Sequence, residues 1–222
     1  MGFESRKNLA SGLPRLLARR LSSLRVAVDV QHLYRLGRHA QDRGTIYALA
    51  NGTHIAEADA ATLYAAGLVA WLKARGASVL TNDLLSGALI GPYSRRNLIA
   101  CQWGADCYLA CHLNAGGGSY AAIEYMAGTP SGVLASSIGS HIINDFPLIG
   151  RSRSVDLIRG QRGAVCIEGV VGNRAAVILE PFFGDTVAVQ EMFQPQKLHQ
   201  LGETIGEGIA QWWERRAIVR VV

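Results

Sequence analysis

Short β-branched or small apolar runs alternate along this chain with helical stretches, and that alternation limits the folds open to it. Arg25–Gln31, Ala77–Thr81, Asp106–Leu113, Tyr120–Ala127, Ala164–Val171 and Ala175–Leu179 read as strands. Glu57–Arg75, Pro92–Gly104, Ser131–Asn144, Thr186–Met192 and Gln196–Arg216 read as helices. In the first of these, Leu63, Ala66, Val69 and Ala70 share one side and Gly76 supplies the stop. Strands that alternate with helices build a mostly parallel or mixed sheet covered on both faces. The expectation is therefore an α/β chain with one twisted sheet of about six strands and helices on both sides. Residues 33–55 lack periodicity and read as a long loop, and Arg151–Arg162 reads as a basic loop.

The chain has 222 residues, of which 49% are hydrophobic and 18% charged, enough apolar side chain for one sizeable core and too much for disorder. No run of 18 apolar residues is present, which argues against a transmembrane helix. The net charge of +5 resides in the first 25 residues, where Arg6, Lys7, Arg15, Arg19, Arg20 and Arg25 face one acid, Glu4; the remainder is neutral. A nucleic-acid partner is thereby not expected.

Within the basic arm, residues 1–24, Asn8–Leu24 spaces six leucines as an amphipathic helix, suited either to packing on the main domain, residues 25–222, or to an anionic membrane or envelope surface. It lacks the uninterrupted apolar stretch of a secretory signal, so synthesis in the cytoplasm without a signal peptide is expected. Cys101, Cys107, Cys111 and Cys166 match no zinc-knuckle spacing and read as small buried apolar residues of a reduced compartment.

In sheets of this kind, sites gather at the carboxyl ends of strands. His32 follows the first strand, His112 ends the third, Glu180 ends the last, and Glu57 opens the first helix. Two imidazoles and a carboxylate suit zinc with a fourth position left for water, and a second carboxylate can then move a proton. The four are separated by 25, 55 and 68 residues with no HExxH, so spacing alone is a weak signal and leaves core or surface imidazoles and an ion-paired or helix-start carboxylate open.

The stretch Arg96-Asn-Leu-Ile-Ala100-Cys-Gln-Trp-Gly-Ala105-Asp106-Cys-Tyr-Leu-Ala-Cys-His112-Leu-Asn114-Ala115 resembles the zinc-dependent N-acetylmuramoyl-L-alanine amidases of the type 3 catalytic class, found in bacterial wall amidases and phage endolysins. Their pattern R-x3-A-N-x3-A-D-x5-H-x-N-A is matched except that Cys101 replaces Asn. Asp29-Val-Gln-His32, Glu57 with its helix, and Val177-Ile-Leu-Glu180-Pro-Phe-Phe183 agree in order, so the likeness spans roughly residues 25–215. It departs in having Gln31 before His32 where Gly is usual, Leu33-Tyr34 after it in place of Gly-Gly, Asn82 in place of Arg, and Pro181-Phe-Phe in place of Gly-Phe. His39 and His54 are alternative first ligands.

The resemblance implies a zinc-exopeptidase-like fold, Zn²⁺ on His32, Glu57 and His112, and Glu180 passing a proton from water to the departing L-alanine nitrogen. It implies peptidoglycan as partner and the cell wall as place of action, the host periplasm for a phage enzyme. It also points to Glu124 and Asn114 as substrate-lining residues, Asn114 being otherwise a turn residue. Arg151, Arg153, Arg159 and Arg162 are either a solvated loop or a contact to anionic wall polymer. Two other readings are a wall-binding or virion protein that kept the fold without catalysis, and a zinc peptidase acting on a plain peptide.

Overall fold

A computed structural model describes residues 21–32, 42–82, 85, 87–161 and 163–219. In chain order the elements are β1 (Arg25–Val30), β2 (Ile46–Ala48), β3 (His54–Ala56), α1 (Glu57–Ala74), β4 (Ser78–Thr81), α2 (Tyr93–Trp103), β5 (Cys107–Cys111), β6 (Ala121–Met126), α3 (Ser131–Asp145), β7 (Ser152–Leu157), β8 (Ala175–Glu180) and α4 (Pro195–Val219). Six strands form one sheet in the order β4-β1-β5-β8-β6-β7. β4, β1, β5 and β8 run parallel, β6 is antiparallel to β8, and β7 is parallel to β6. The α/β class and the mixed, mostly parallel sheet are as the sequence leads one to expect.

The central strands are buried on both faces, which is why they read as continuous apolar runs. Val26, Val28 and Val30 of β1, Cys107, Leu109 and Cys111 of β5, and Val177 and Leu179 of β8 point to one core, under α1, α3 and α4. Ala27, Tyr108, Ala110, Ala176 and Ile178 alternate to the other core, which α2 and the turn at Ala164–Cys166 cover. Helix α4 crosses α1 where Gly202 meets the backbone of Tyr64 and Gly67 meets that of His199. A Cβ on Gly202 would lie 2.0 Å from the Tyr64 carbonyl, so the crossing needs glycine there.

Four sequence expectations are corrected. Residues 33–55 are not loop throughout, since β2 and β3 pair antiparallel as a small hairpin, Ile46 opposite Ala56. Within Arg151–Arg162, residues Ser152–Leu157 are the edge strand β7, whose Arg153, Ser154 and Asp156 face solvent; charged residues suit an exposed sheet edge. The run Ala164–Val171 is a short 3₁₀ turn followed by further turns, and only Ala175–Glu180 is a strand. The helix expected at Thr186–Met192 is a 3₁₀ helix, Val187–Phe193.

All four cysteines are unpaired, and Cys107, Cys111 and Cys166 are buried. Of the expected arm helix, only residues 21–24 are described. They form a turn closed by Leu24 N–H on the Leu21 carbonyl, and both leucines are buried in the main core. The rest of the arm, with His39 and Arg162, lies outside the described residues. Among the described residues no helix is long and apolar enough to cross a membrane.

Candidate metal centre

β1 and β5 lie side by side, with Val30 opposite Cys111. Both therefore deliver their next residues to the same end of the sheet. His32 leaves β1 with φ of +68°, in the left-handed region, the only non-glycine to do so among the described residues. Such a backbone costs about 1–3 kcal/mol and persists where surrounding contacts hold it. His112 is pinned on both sides of its peptide: its N–H donates to the Leu179 carbonyl of β8 (2.9 Å), and its carbonyl accepts from the Tyr64 hydroxyl of α1 (2.9 Å).

Glu57 is the first residue of α1, and its carboxylate is fixed by backbone. Oε1 accepts from Leu113 N–H (3.2 Å) and Oε2 from Thr45 N–H (3.1 Å). Gly44 passes directly against it, with φ of +72° and no room for a side chain, since a Cβ there would stand 2.5 Å from Oε2.

Three atoms then converge. His32 Nε2 lies 3.0 Å from His112 Nδ1 and 3.2 Å from Glu57 Oε1, and His112 Nδ1 lies 3.0 Å from Glu57 Oε1. For bonds of about 2.0–2.1 Å to a tetrahedral zinc, neighbouring ligand atoms stand about 3.3 Å apart, so the near-equilateral triangle has the right size. Its chemistry fits as well, because outside partners take the other ring nitrogens. His32 Nδ1 faces Asp42 Oδ2 at 3.2 Å, and His112 Nε2 faces the Gln31 amide oxygen at 2.9 Å. Both partners are acceptors, so in the neutral rings the protons sit on those nitrogens. That leaves lone pairs on His32 Nε2 and His112 Nδ1, both turned toward the carboxylate oxygen. Three lone pairs facing one another repel unless a cation lies between them.

Without a metal, protons serve as that cation. Burial would lower the His32 imidazole, but the Glu57 and Asp42 carboxylates outweigh it and raise it above its ordinary value. Burial would raise Glu57, and the two imidazoles hold it far below the usual carboxylate range. Metal binding must displace such protons, so affinity falls as pH falls.

Behind the triangle stands a buried polar chain. Gln31 is fully buried and its amide nitrogen donates to Asp29 Oδ2 (3.1 Å). Asp29 also accepts from Arg96 (2.8 Å) and from the Tyr108 hydroxyl. Burial pushes the Asp29 carboxyl up, while Arg96, Tyr108 and Gln31 pull it back. Arg96, Tyr108 and Gln31 all donate to its oxygens, so it acts as a carboxylate. A carboxylate only accepts, which turns the Gln31 nitrogen toward Asp29 and its oxygen toward His112.

Gln31 thus sets the tautomer of His112, a role that its neighbourhood in sequence does not reveal. Gln31→Met, which keeps the volume and loses the acceptor, is expected to weaken zinc binding about 10–100-fold in competition with a chromogenic chelator. Arg96→Met strands the buried Asp29 charge and is expected to cost about 3–5 kcal/mol of stability in urea unfolding.

Tyr47, on the hairpin, is buried beside the chain that leaves β5. Its hydroxyl lies 3.1 Å from the carbonyls of both Leu113 and Asn114. Burial pushes that hydroxyl up, and the charges of Glu57, Asp185 and Glu180 add to the shift.

Glu180, half-buried, ends β8 and follows Leu179, the residue that accepts from His112 N–H. Glu124 lies further along β6, opposite Ile178, and burial raises its carboxyl. Asn114 spends its side-chain oxygen on Ala115 N–H (2.8 Å), as a turn residue does. His54 is exposed and stands outside the group. The structure therefore brings together His32, Glu57 and His112, with Glu180 on the adjoining strand. Sequence reasoning missed Gln31, Asp42 and Tyr47. Only Gln31 left a trace there, as an amide where the resembled family has Gly.

The fold defined by these elements is that of the N-acetylmuramoyl-L-alanine amidases. The amidase from Clostridium difficile 630 superposes with a TM-score of 0.65 at 20% identity, over 87% of this chain and 98% of that one. The catalytic domain of CwlV, an N-acetylmuramoyl-L-alanine amidase from Bacillus (Paenibacillus) polymyxa var. colistinus, gives 0.63 at 16% identity, over 86% and 98%. Cwp6 from Clostridium difficile gives 0.66 at 20% identity, over 85% of this chain, which spans 29% of that protein's length. No family model matches the chain, and no curated protein matches it.

Proposed function

We propose that this chain is a zinc-dependent N-acetylmuramoyl-L-alanine amidase, cleaving the amide between the lactyl group of muramic acid and L-alanine in peptidoglycan. The observation that carries the reading is the triangle of lone pairs on His32, Glu57 and His112, with Glu180 one strand away on the same end of an amidase fold. Zinc bound there supplies Lewis acidity toward the amide carbonyl and toward water.

The chain's own groups do the rest. Glu180 accepts a proton from water as the water oxygen attacks the carbonyl carbon. It then delivers that proton to the amide nitrogen, the C–N bond breaks, and a lactyl carboxylate and a free amine are left. Asp42 and Gln31 keep the two rings presenting lone pairs, and Leu113 N–H and Thr45 N–H hold Glu57 still. The cell wall is the place of action, as for a phage endolysin, and the basic residues before position 26 suit an anionic envelope.

The test is mass spectrometry of purified peptidoglycan after digestion, with and without a chelator. The expected products are stem peptides with a free L-alanine amino group and uncut glycan, formed only when metal is present. Fragments that keep the sugar–peptide link would remove the amidase reading.

A further inference from the structure

The edge of the sheet beside Glu180 carries a basic, aromatic cluster that the cleavage chemistry leaves unused. Ala122 of β6 pairs with Glu180 of β8 on one side and with Arg153 of β7 on the other. Strands lie about 4.8 Å apart, so Arg153 sits about 10 Å from Glu180 along one row of the sheet. Paired residues point to the same face, and Tyr120, two residues before Ala122, lies on that face too.

The Arg153 guanidinium carbon stands 4.3 Å from the Tyr120 ring centre and that of Arg151 5.8 Å. The edge of the ring is held by Phe183, buried, at 4.8 Å between centres. Both arginines are exposed, and among the described residues neither has a carboxylate partner. The nearby Asp185 is engaged by the N–H groups of Gly116 and Gly117. Two stacked guanidinium groups therefore present their N–H edges to solvent with no anion of the protein's own to bind.

We infer that Arg151 and Arg153, stacked on Tyr120, bind a carboxylate of the peptide whose amino end is released, and so select peptides that carry one. The inference rests on the amidase reading for the identity of the ligand. An extended peptide advances about 3.3–3.6 Å per residue, so a carboxylate about three residues beyond the cut bond reaches the row of Arg153. The sugar side of that bond offers hydroxyls and neutral amides, which do not call for paired guanidinium groups. A planar fork suits a carboxylate bidentately, and stacking on the ring removes rotamer freedom before binding.

The experiment compares a muramoyl tripeptide bearing a free C-terminal carboxylate with its C-terminal amide. The protein is the zinc-loaded full chain and its Arg151→Gln/Arg153→Gln double variant. The wild type is expected to show a KM about tenfold lower for the carboxylate, and the double variant to show a ratio near one. A wild type that treats the two alike, or a double variant that keeps the preference, overturns the inference.

If the wild type cleaves neither compound, the amidase reading fails, and the same pair of peptides is compared by calorimetric binding. Tighter binding of the carboxylate form, lost in the double variant, upholds the carboxylate site on its own. Equal binding of the two peptides, or binding of poly(glycerol phosphate) without binding of the peptide, overturns it.

Discussion

Glu180→Gln is expected to lower the rate of amide hydrolysis about 10²–10⁴-fold, the span of a positioned general base, while leaving zinc binding intact. The two halves of that expectation come from different parts of the structure. Glu180 belongs to β8 and is not one of the grouped ligands, so the amide variant removes none of the three donors. Gln has nearly the same volume and keeps a hydrogen-bonding oxygen, so the half-buried strand end is left packed. What it loses is the capacity to hold a proton between water and the leaving nitrogen. Rates on a soluble muramoyl dipeptide, with zinc content measured on the same samples, check both halves. A variant that retains most of its turnover would take Glu180 out of this role.

Zinc is expected to raise the melting temperature by about 8–16 °C when supplied at roughly a thousand times its dissociation constant. Binding at that excess stabilises by about 4.1 kcal/mol, and a chain of this length gains about 2–4 °C per kcal/mol. The physical source is local. His32, Glu57 and His112 arrive from the end of β1, the start of α1 and the end of β5, and the ion ties these three together. The strained φ of His32 is then held by a bond to metal in addition to packing. Differential scanning calorimetry of chelated and zinc-supplied protein reads the shift. The shift should shrink on acidification, because protons raised onto His32 compete for the same lone pairs. Equal melting temperatures in the two samples would show that nothing is held there.

How much of this could be read beforehand depends on which periodicities survive burial. β1, β5 and β8 are interior strands buried on both faces, and their apolar runs announced them. β2 and β3 have three residues each, too few for any period to show. β7 lies at the edge with one flank in water, so its two serines, Arg153 and Asp156 hid its one buried position, Leu157. The run Ala164–Val171 has the composition of a strand. Its buried residues Ala164, Cys166, Ile167 and Val170 sit on a short 3₁₀ turn and the turns after it, and they cap the second core without joining the sheet.

The site divides the same way. His32, Glu57, His112 and Glu180 could be proposed because each follows, opens or ends a regular element. Gln31 and Asp42 could not, because their parts depend on contacts that arise only on folding. Gln31 reaches His112 across 81 residues, and Asp42 lies in a stretch without pattern.

X-ray absorption spectroscopy of the zinc-loaded chain tests the ligand set most directly, since the protein also offers four thiols. The expected spectrum has only nitrogen and oxygen neighbours at about 2.0–2.1 Å, with the outer scattering of two imidazole rings. A sulfur shell at about 2.3 Å, or six light ligands without imidazole scattering, would contradict the assignment of zinc to His32, Glu57 and His112.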